Sequence, residues 1–122
     1  MKRFIKSLSY ALAGIRVAVA EQRNIQIHLT ILLLVIAAGL FMDINLNEWL
    51  AVILAAAIVI STEMINTAIE KVVDLASPQI HPLAKQAKDI AAGAVLIAVC
   101  FAVIIGLLVF GKYLLQFLSD YL

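Results

Sequence analysis

Four polar side chains near the middle of the chain are spaced as one helix face would space them. Glu63, Asn66, Glu70 and Asp74 are offset by three, seven and eleven residues. At about 100° per residue they fall within roughly 80° of one another. Carboxylates one or two turns apart can divide the work of a general base and a metal ligand. Glu63, deeper in an apolar segment, suits the base. Glu70, nearer the polar end, suits a hydrated Mg²⁺, which takes few carboxylates and completes its shell with phosphate oxygens and water. Asn66 lies between them and can orient either. Further on, Lys88 offers a phosphate-binding cation, with Asp89 beside it as a carboxylate to hold it. Such residues also have plainer uses. A row of acids can be helix–helix glue or the lining of an ion path, and a Lys–Asp pair at a membrane boundary can arise by snorkelling alone. His81 between two prolines reads first as a loop residue, and His28 as a packing or interfacial one. Neither a G-x-x-x-x-G-K-S/T loop nor a G-x-G-x-x-G motif is present, so a nucleotide would be handled by another scheme.

The elements that must position these groups belong to a membrane protein. Of 122 residues, 65% are hydrophobic and 14% charged, with a mean hydropathy of +1.09. Soluble chains are nearer half apolar and about a quarter charged. An acid at the centre of a membrane helix costs about 3 kcal/mol, so the row at Glu63 needs a cation, a proton or a polar ligand. A net charge of +1 with no basic, aromatic-interleaved patch excludes a nucleic-acid role. Cys100 is the single cysteine, which excludes an intrachain disulfide and a cysteine metal site.

The expected fold is all-α: an N-terminal amphipathic surface helix at about 2–22 and three transmembrane helices at about 25–42, 47–74 and 88–111, in one membrane domain. Phe4, Leu8, Leu12, Ile15 and Val19 recur at helical spacing among Lys2, Arg3, Lys6 and Arg16, the pattern of a helix lying at an interface. Trp49 stands where an interfacial anchor belongs. Ser77-Pro78-Gln79-Ile80-His81-Pro82 marks a loop, and Lys112 to Leu122 a short tail. Lys and Arg concentrate before the first span and after the second, so the N-terminus is expected in the cytoplasm and the C-terminus outside. Glu63 then lies about 21 Å along its helix from Trp49, in the inner third of a hydrocarbon core about 30 Å thick. A lipid headgroup and a cytosolic nucleotide could meet there.

The run Glu63-Met64-Ile65-Asn66-Thr67-Ala68-Ile69-Glu70-Lys71-Val72-Val73-Asp74, with its continuation His81-Pro82-Leu83-Ala84-Lys85-Gln86-Ala87-Lys88-Asp89-Ile90-Ala91-Ala92-Gly93-Ala94-Val95, resembles the signature of the prokaryotic diacylglycerol kinase family. That family includes diacylglycerol kinases and bacterial undecaprenol kinases, and the resemblance covers nearly the whole chain. It implies a homotrimer in the bacterial inner membrane, with active sites shared between neighbours. It implies magnesium-dependent transfer of the ATP γ-phosphoryl to a lipid hydroxyl. By position it makes Glu63 the catalytic base and Glu70 a metal ligand, with Asn66 between them. It puts Asp74, Gln79, Ile80, His81, Lys88 and Asp89 on the nucleotide side, with Arg3 and Tyr10 at or near further nucleotide contacts.

One position departs from the family pattern. A metal-binding Glu usually stands directly before an Arg-Asn-like pair; here Gln22 precedes Arg23-Asn24 and Glu21 is one place earlier. One residue turns a side chain by about 100° on a helix. Glu21 is the preferred ligand, because magnesium favours an anion, and Gln22 is the alternative. The Arg23-Asn24…His28 pattern and the His81–Lys85 loop resemble the undecaprenol kinase branch more than the enterobacterial diacylglycerol kinases. A diacylglycerol kinase making phosphatidic acid is the second reading. A non-catalytic scaffold or ion-path oligomer is the third; it accounts for the buried acids but leaves Lys88, Asp89 and the loop without a role.

Overall fold

The computed structural model describes residues 1–121, which form four α-helices and, among the described residues, no strand. They are α1 (Lys2–Glu21), α2 (Arg23–Phe41), α3 (Leu46–Ala76) and α4 (Pro82–Tyr121). The last three are long and apolar enough to cross a membrane. α3 packs chiefly on α4 and also on α2, while α1 touches α2 and α3. Large apolar side chains such as Leu33, Leu54, Phe101 and Leu108 stand exposed on the bundle's outside. That suits a solvent of lipid tails, which demands satisfied backbones rather than a polar surface.

The connections explain the element bounds. α1 and α2 are separated by Gln22 alone, whose backbone is extended (φ −102°, ψ 110°). The free carbonyls at the end of α1 are served by the joint and by α2: the Gln22 N–H donates to Ala18 O at 3.0 Å, and the Gln26 side-chain amide of α2 donates to Val19 O at 3.0 Å. α2 ends with Asp43 in the left-handed region (φ 50°), and the Ile44 N–H donates back to Gly39 O at 3.2 Å. This is a Schellman closure made with Asp in place of the usual Gly. α3 opens on a capping box: Glu48 N–H donates to Asn45 Oδ1 at 3.1 Å, and Asn45 N–H donates to Glu48 Oε2 at 2.9 Å. α4 starts at Pro82, a first-turn position that spends no N–H, and the Leu83 N–H donates to His81 Nδ1 at 3.2 Å. Nothing after Pro82 breaks the helix, so it continues through Lys112 and Tyr113, beyond the expected third span. Its 40 residues make a rod about 60 Å long.

The two ends of the bundle differ in kind. At the Trp49 end, Ile44, Val52 and Val109 form an apolar core with Val35, Met42, Trp49, Ile105, Phe110 and Tyr113 around it. The Trp49 ring lies on Gly39, where a Cβ would meet Trp49 Cη2 at 2.7 Å. Glu48 is clasped there by Lys112 and by the Tyr113 hydroxyl, which donates at 2.8 Å. At the Glu63 end the buried residues of α3 are polar.

Candidate functional site

The polar end is built on α3. Glu63 is 2% exposed, Asn66 6% and Thr67 5%. Glu70 is half-buried, while Lys71 and Asp74 are exposed. The stripe thus runs from dry to wet along one face within three turns. Burying an ionisable or amide group without partners costs several kcal/mol in an apolar medium, so its partners matter. The Asn66 amide donates to Glu70 Oε1 at 3.3 Å, which pairs the two residues expected to sit together in the site. Asn66 Oδ1 and Thr67 Oγ1 are buried without a partner.

α4 brings cations to the wet end. Lys88 donates to Asp74 Oδ1 at 2.6 Å, so the carboxylate that holds Lys88 is Asp74 of α3. Asp89, the expected partner, instead accepts from Lys85 at 2.7 Å. The reason is helical geometry: neighbours in sequence point about 100° apart, whereas residues four apart face each other. The hydrogen bond from Lys85 to Asp89, and the carboxylate's charge, hold the Lys85 ammonium above the ordinary lysine range. The loop residues Gln79, Ile80 and His81 are exposed between α3 and α4. The Ser77 hydroxyl donates to Gln79 O at 3.0 Å, and the His81 ring caps α4.

α1 contributes Glu21. Its carboxylate accepts from Lys71 Nζ at 2.8 Å, next to Glu70 in sequence. Gln22 is half-buried in the helix break. Arg3 and Tyr10 are exposed on α1, with Lys6 over the Tyr10 ring at 5.9 Å. Within one chain the fold therefore joins Asn66 to Glu70, Asp74 to Lys88 and Glu21 to Lys71. It makes no such bond from Arg3 or Tyr10 to the α3 stripe. Three participants were not singled out from the sequence. Lys71 and Lys85 read there only as topological charge, although the four-residue spacing of Lys85 and Asp89 was a usable signal. Thr67 had no signal beyond lying one turn from Glu63.

Among the described residues no three His, Cys, Asp or Glu side chains gather on a common point. That donor set is too sparse for an all-protein cation cage. It does fit Mg²⁺, which is bound through one or two carboxylates together with phosphates and water, and the unpartnered Asn66 Oδ1 adds a neutral oxygen.

Comparisons with known proteins bear on the family to which the chain is similar. The family described as prokaryotic diacylglycerol kinase matches residues 9–110. The undecaprenol kinase of Bacillus subtilis is 41% identical over 110 residues, covering 90% of this chain and 89% of that one. A diacylglycerol kinase of Synechocystis is 45% identical over 101 residues, covering 82% of this chain and 58% of that one. The diacylglycerol kinase of Escherichia coli K12 is 32% identical over 102 residues, covering 84% of each.

Proposed function

The chain belongs to the prokaryotic diacylglycerol kinase family, and on that premise we propose that it transfers the γ-phosphoryl group of ATP to a lipid hydroxyl, undecaprenol first and diacylglycerol second. The observation that carries this reading is the dry-to-wet polar face of α3, with a carboxylate that is 2% exposed at its deep end and the Lys88–Asp74 pair at its shallow end. Such a face gives a membrane alcohol and a water-soluble nucleotide one place to meet. The choice of undecaprenol is supported by the similarity to a relative of that name over nine-tenths of this chain and by the Arg23-Asn24…His28 pattern.

In this reading α1 lies at the cytoplasmic surface of the inner membrane, supported by its exposed Phe4, Leu8, Leu12 and Ile15. Segments at about 25–42, 47–74 and 88–111 span the bilayer, the C-terminus is outside, and three chains assemble with sites shared between neighbours. Glu63 accepts the proton of the lipid hydroxyl as its oxygen attacks the γ-phosphorus. Phosphoryl transfer relies mainly on positioning and charge neutralisation. Glu70 and Glu21 would hold Mg²⁺, with Gln22 as the alternative to Glu21, and the ion would neutralise charge on the transferred group. Asn66, between Glu63 and Glu70, orients the substrate, and its amide also donates to Glu70. Lys88, positioned by Asp74, supplies a cation to the phosphates. Asp74, Lys88, Asp89, the Gln79–His81 loop, Arg3 and Tyr10 form the nucleotide side.

The test uses purified protein in mixed micelles with Mg-ATP and either undecaprenol or diacylglycerol, with Glu63→Gln as control. Phosphate should pass to undecaprenol, and Glu63→Gln should lose about 10²–10⁴-fold of the rate. Label in diacylglycerol alone would select the second reading, and label in neither would overturn both.

A further inference from the structure

We propose that the Thr67 hydroxyl binds the acceptor alcohol beside Glu63, so that Thr67 is a substrate-orienting residue of this site. The inference rests on the lipid-kinase reading above and on Glu63 as the base.

Three threonines occur in the chain. Two make the usual helical bond to the carbonyl four residues back: Thr30 donates to Gln26 O at 2.8 Å and Thr62 to Ile58 O at 2.6 Å. Thr67 makes none, although it is 5% exposed and its oxygen has no partner. A buried hydroxyl that forgoes even its own backbone carbonyl loses stability, and it stays available to a ligand.

Its position says which ligand. Measured from Glu63 around α3, Asn66 lies about 60° to one side and Glu70 about 20° to the same side, while Thr67 lies about 40° to the other. Glu63 therefore stands between the Asn66–Glu70 pair, already joined by a hydrogen bond, and the free Thr67 hydroxyl. Thr67 is also one turn from Glu63, where side chains are neighbours about 5–6 Å apart at Cβ. Asp74, about 20° toward the Thr67 side, lies about 10 Å further along the axis than Thr67, toward the wet end; with Asn66 and Glu70 on the metal side, the Thr67 flank at the depth of Glu63 is left for the other reactant. The same face of α3 continues toward the Trp49 end into a cavity of ≈ 290 Å³ bounded by α2 and α4, whose walls at Ala56, Val59, Ile60, Val99 and Val103 are apolar. A hydroxyl attached to a hydrocarbon chain fits that approach, and a hydrated nucleotide does not.

The chemistry balances. The acceptor O–H donates to the Glu63 carboxylate, Thr67 O–H donates to one lone pair of the acceptor oxygen, and the second lone pair attacks the γ-phosphorus. The proton passes to Glu63, and the leaving electrons pass to the ADP oxygen. Glu63 and Thr67 are both buried in the single chain and one turn apart, so an acceptor hydroxyl that reaches one is within reach of the other.

The experiment measures lipid and ATP kinetics together with thermal unfolding for the wild type, Thr67→Val, Thr67→Ser and Glu63→Gln. Thr67→Val keeps the shape and removes the hydroxyl. It should lower kcat/KM for the lipid about tenfold, leave KM for ATP unchanged, and leave Tm unchanged or raised, because an unpaired buried hydroxyl has been removed. Thr67→Ser should restore the lipid kinetics. Full lipid activity in Thr67→Val overturns the inference, as does a fall in Tm that tracks the loss of activity. If the wild type works and Glu63→Gln is dead, such a result leaves the kinase reading standing. A wild type that phosphorylates neither undecaprenol nor diacylglycerol removes the reading and this inference with it.

Discussion

The Glu21 carboxylate at the end of α1 accepts a hydrogen bond from Lys71 of α3 at 2.8 Å, across 50 residues of sequence. This bond ties the helix that carries Glu21 to the one that carries Glu70, one residue from Glu70 itself. A cation bound between the two acids would compete with Lys71 for Glu21.

The first prediction follows from that competition. Glu21→Ala should abolish magnesium-dependent turnover while Gln22→Ala is milder, and Lys71→Met should lower the magnesium concentration needed for half-maximal rate. Titrating magnesium at saturating ATP measures both. A Gln22→Ala enzyme more impaired than Glu21→Ala would reverse the ligand assignment. The pair is half-exposed at both ends, so its loss should move Tm little.

Asn66 should matter through Glu70. Its amide donates to Glu70 Oε1 at 3.3 Å, and groups that orient a metal-binding carboxylate typically influence activity about 10–100-fold. Asn66→Ala should lose activity in that range, with a weaker response to magnesium. Turnover within a factor of two of wild type would show that Glu70 needs no such support.

Lys88 and Asp74 separate charge from position. Lys88→Met should raise KM for ATP, because the phosphates lose a cation. Asp74→Asn should do less, because it leaves the cation and removes only its 2.6 Å tether. Steady-state kinetics with ATP varied at fixed lipid would measure both. A larger effect from Asp74→Asn would mean that Asp74 contacts the nucleotide itself.

Gly39 tests the opposite end. A Cβ there would lie 2.7 Å from Trp49 Cη2 and 3.1 Å from Ile44 Cδ1. Gly39→Ala should therefore cost about 1–3 kcal/mol through overpacking, read as a lower Tm in detergent. The lipid kinetics of the folded fraction should stay near wild type. An unchanged Tm would mean that the Trp49 ring can turn aside.

Much of the architecture is visible in residue order because its signals are local. The charge-free runs and the two prolines near Gln79 mark where helices run and stop, and Trp49 marks the edge near which α3 begins; the capping box of Asn45 and Glu48 is not read from the sequence. The length of α4 is less visible. Lys85, Lys88 and Lys112 read as boundary charges, yet a helix tolerates them on its surface and nothing between Pro82 and Tyr121 stops it. In the site, Glu63, Asn66, Glu70 and Asp74 announce themselves by spacing, because one helix carries all four. The bonds between helices do not. That Lys71 meets Glu21, or that Lys88 meets Asp74 rather than Asp89, depends on how α1 and α4 lie against α3. The unpaired hydroxyl of Thr67 becomes visible only when its oxygen is found to lack even a backbone partner.

The joint at Gln22 has a mechanical consequence. One residue, with two soft torsions, separates the 20 residues of α1 from α2, and the Gln26 amide crosses the joint to grip α1. A connection this short has no slack. α1 is carried on α2 as an arm on a shaft, with Glu21 at the elbow. The direction in which α2 runs thereby sets where the Glu21 carboxylate stands beside Lys71.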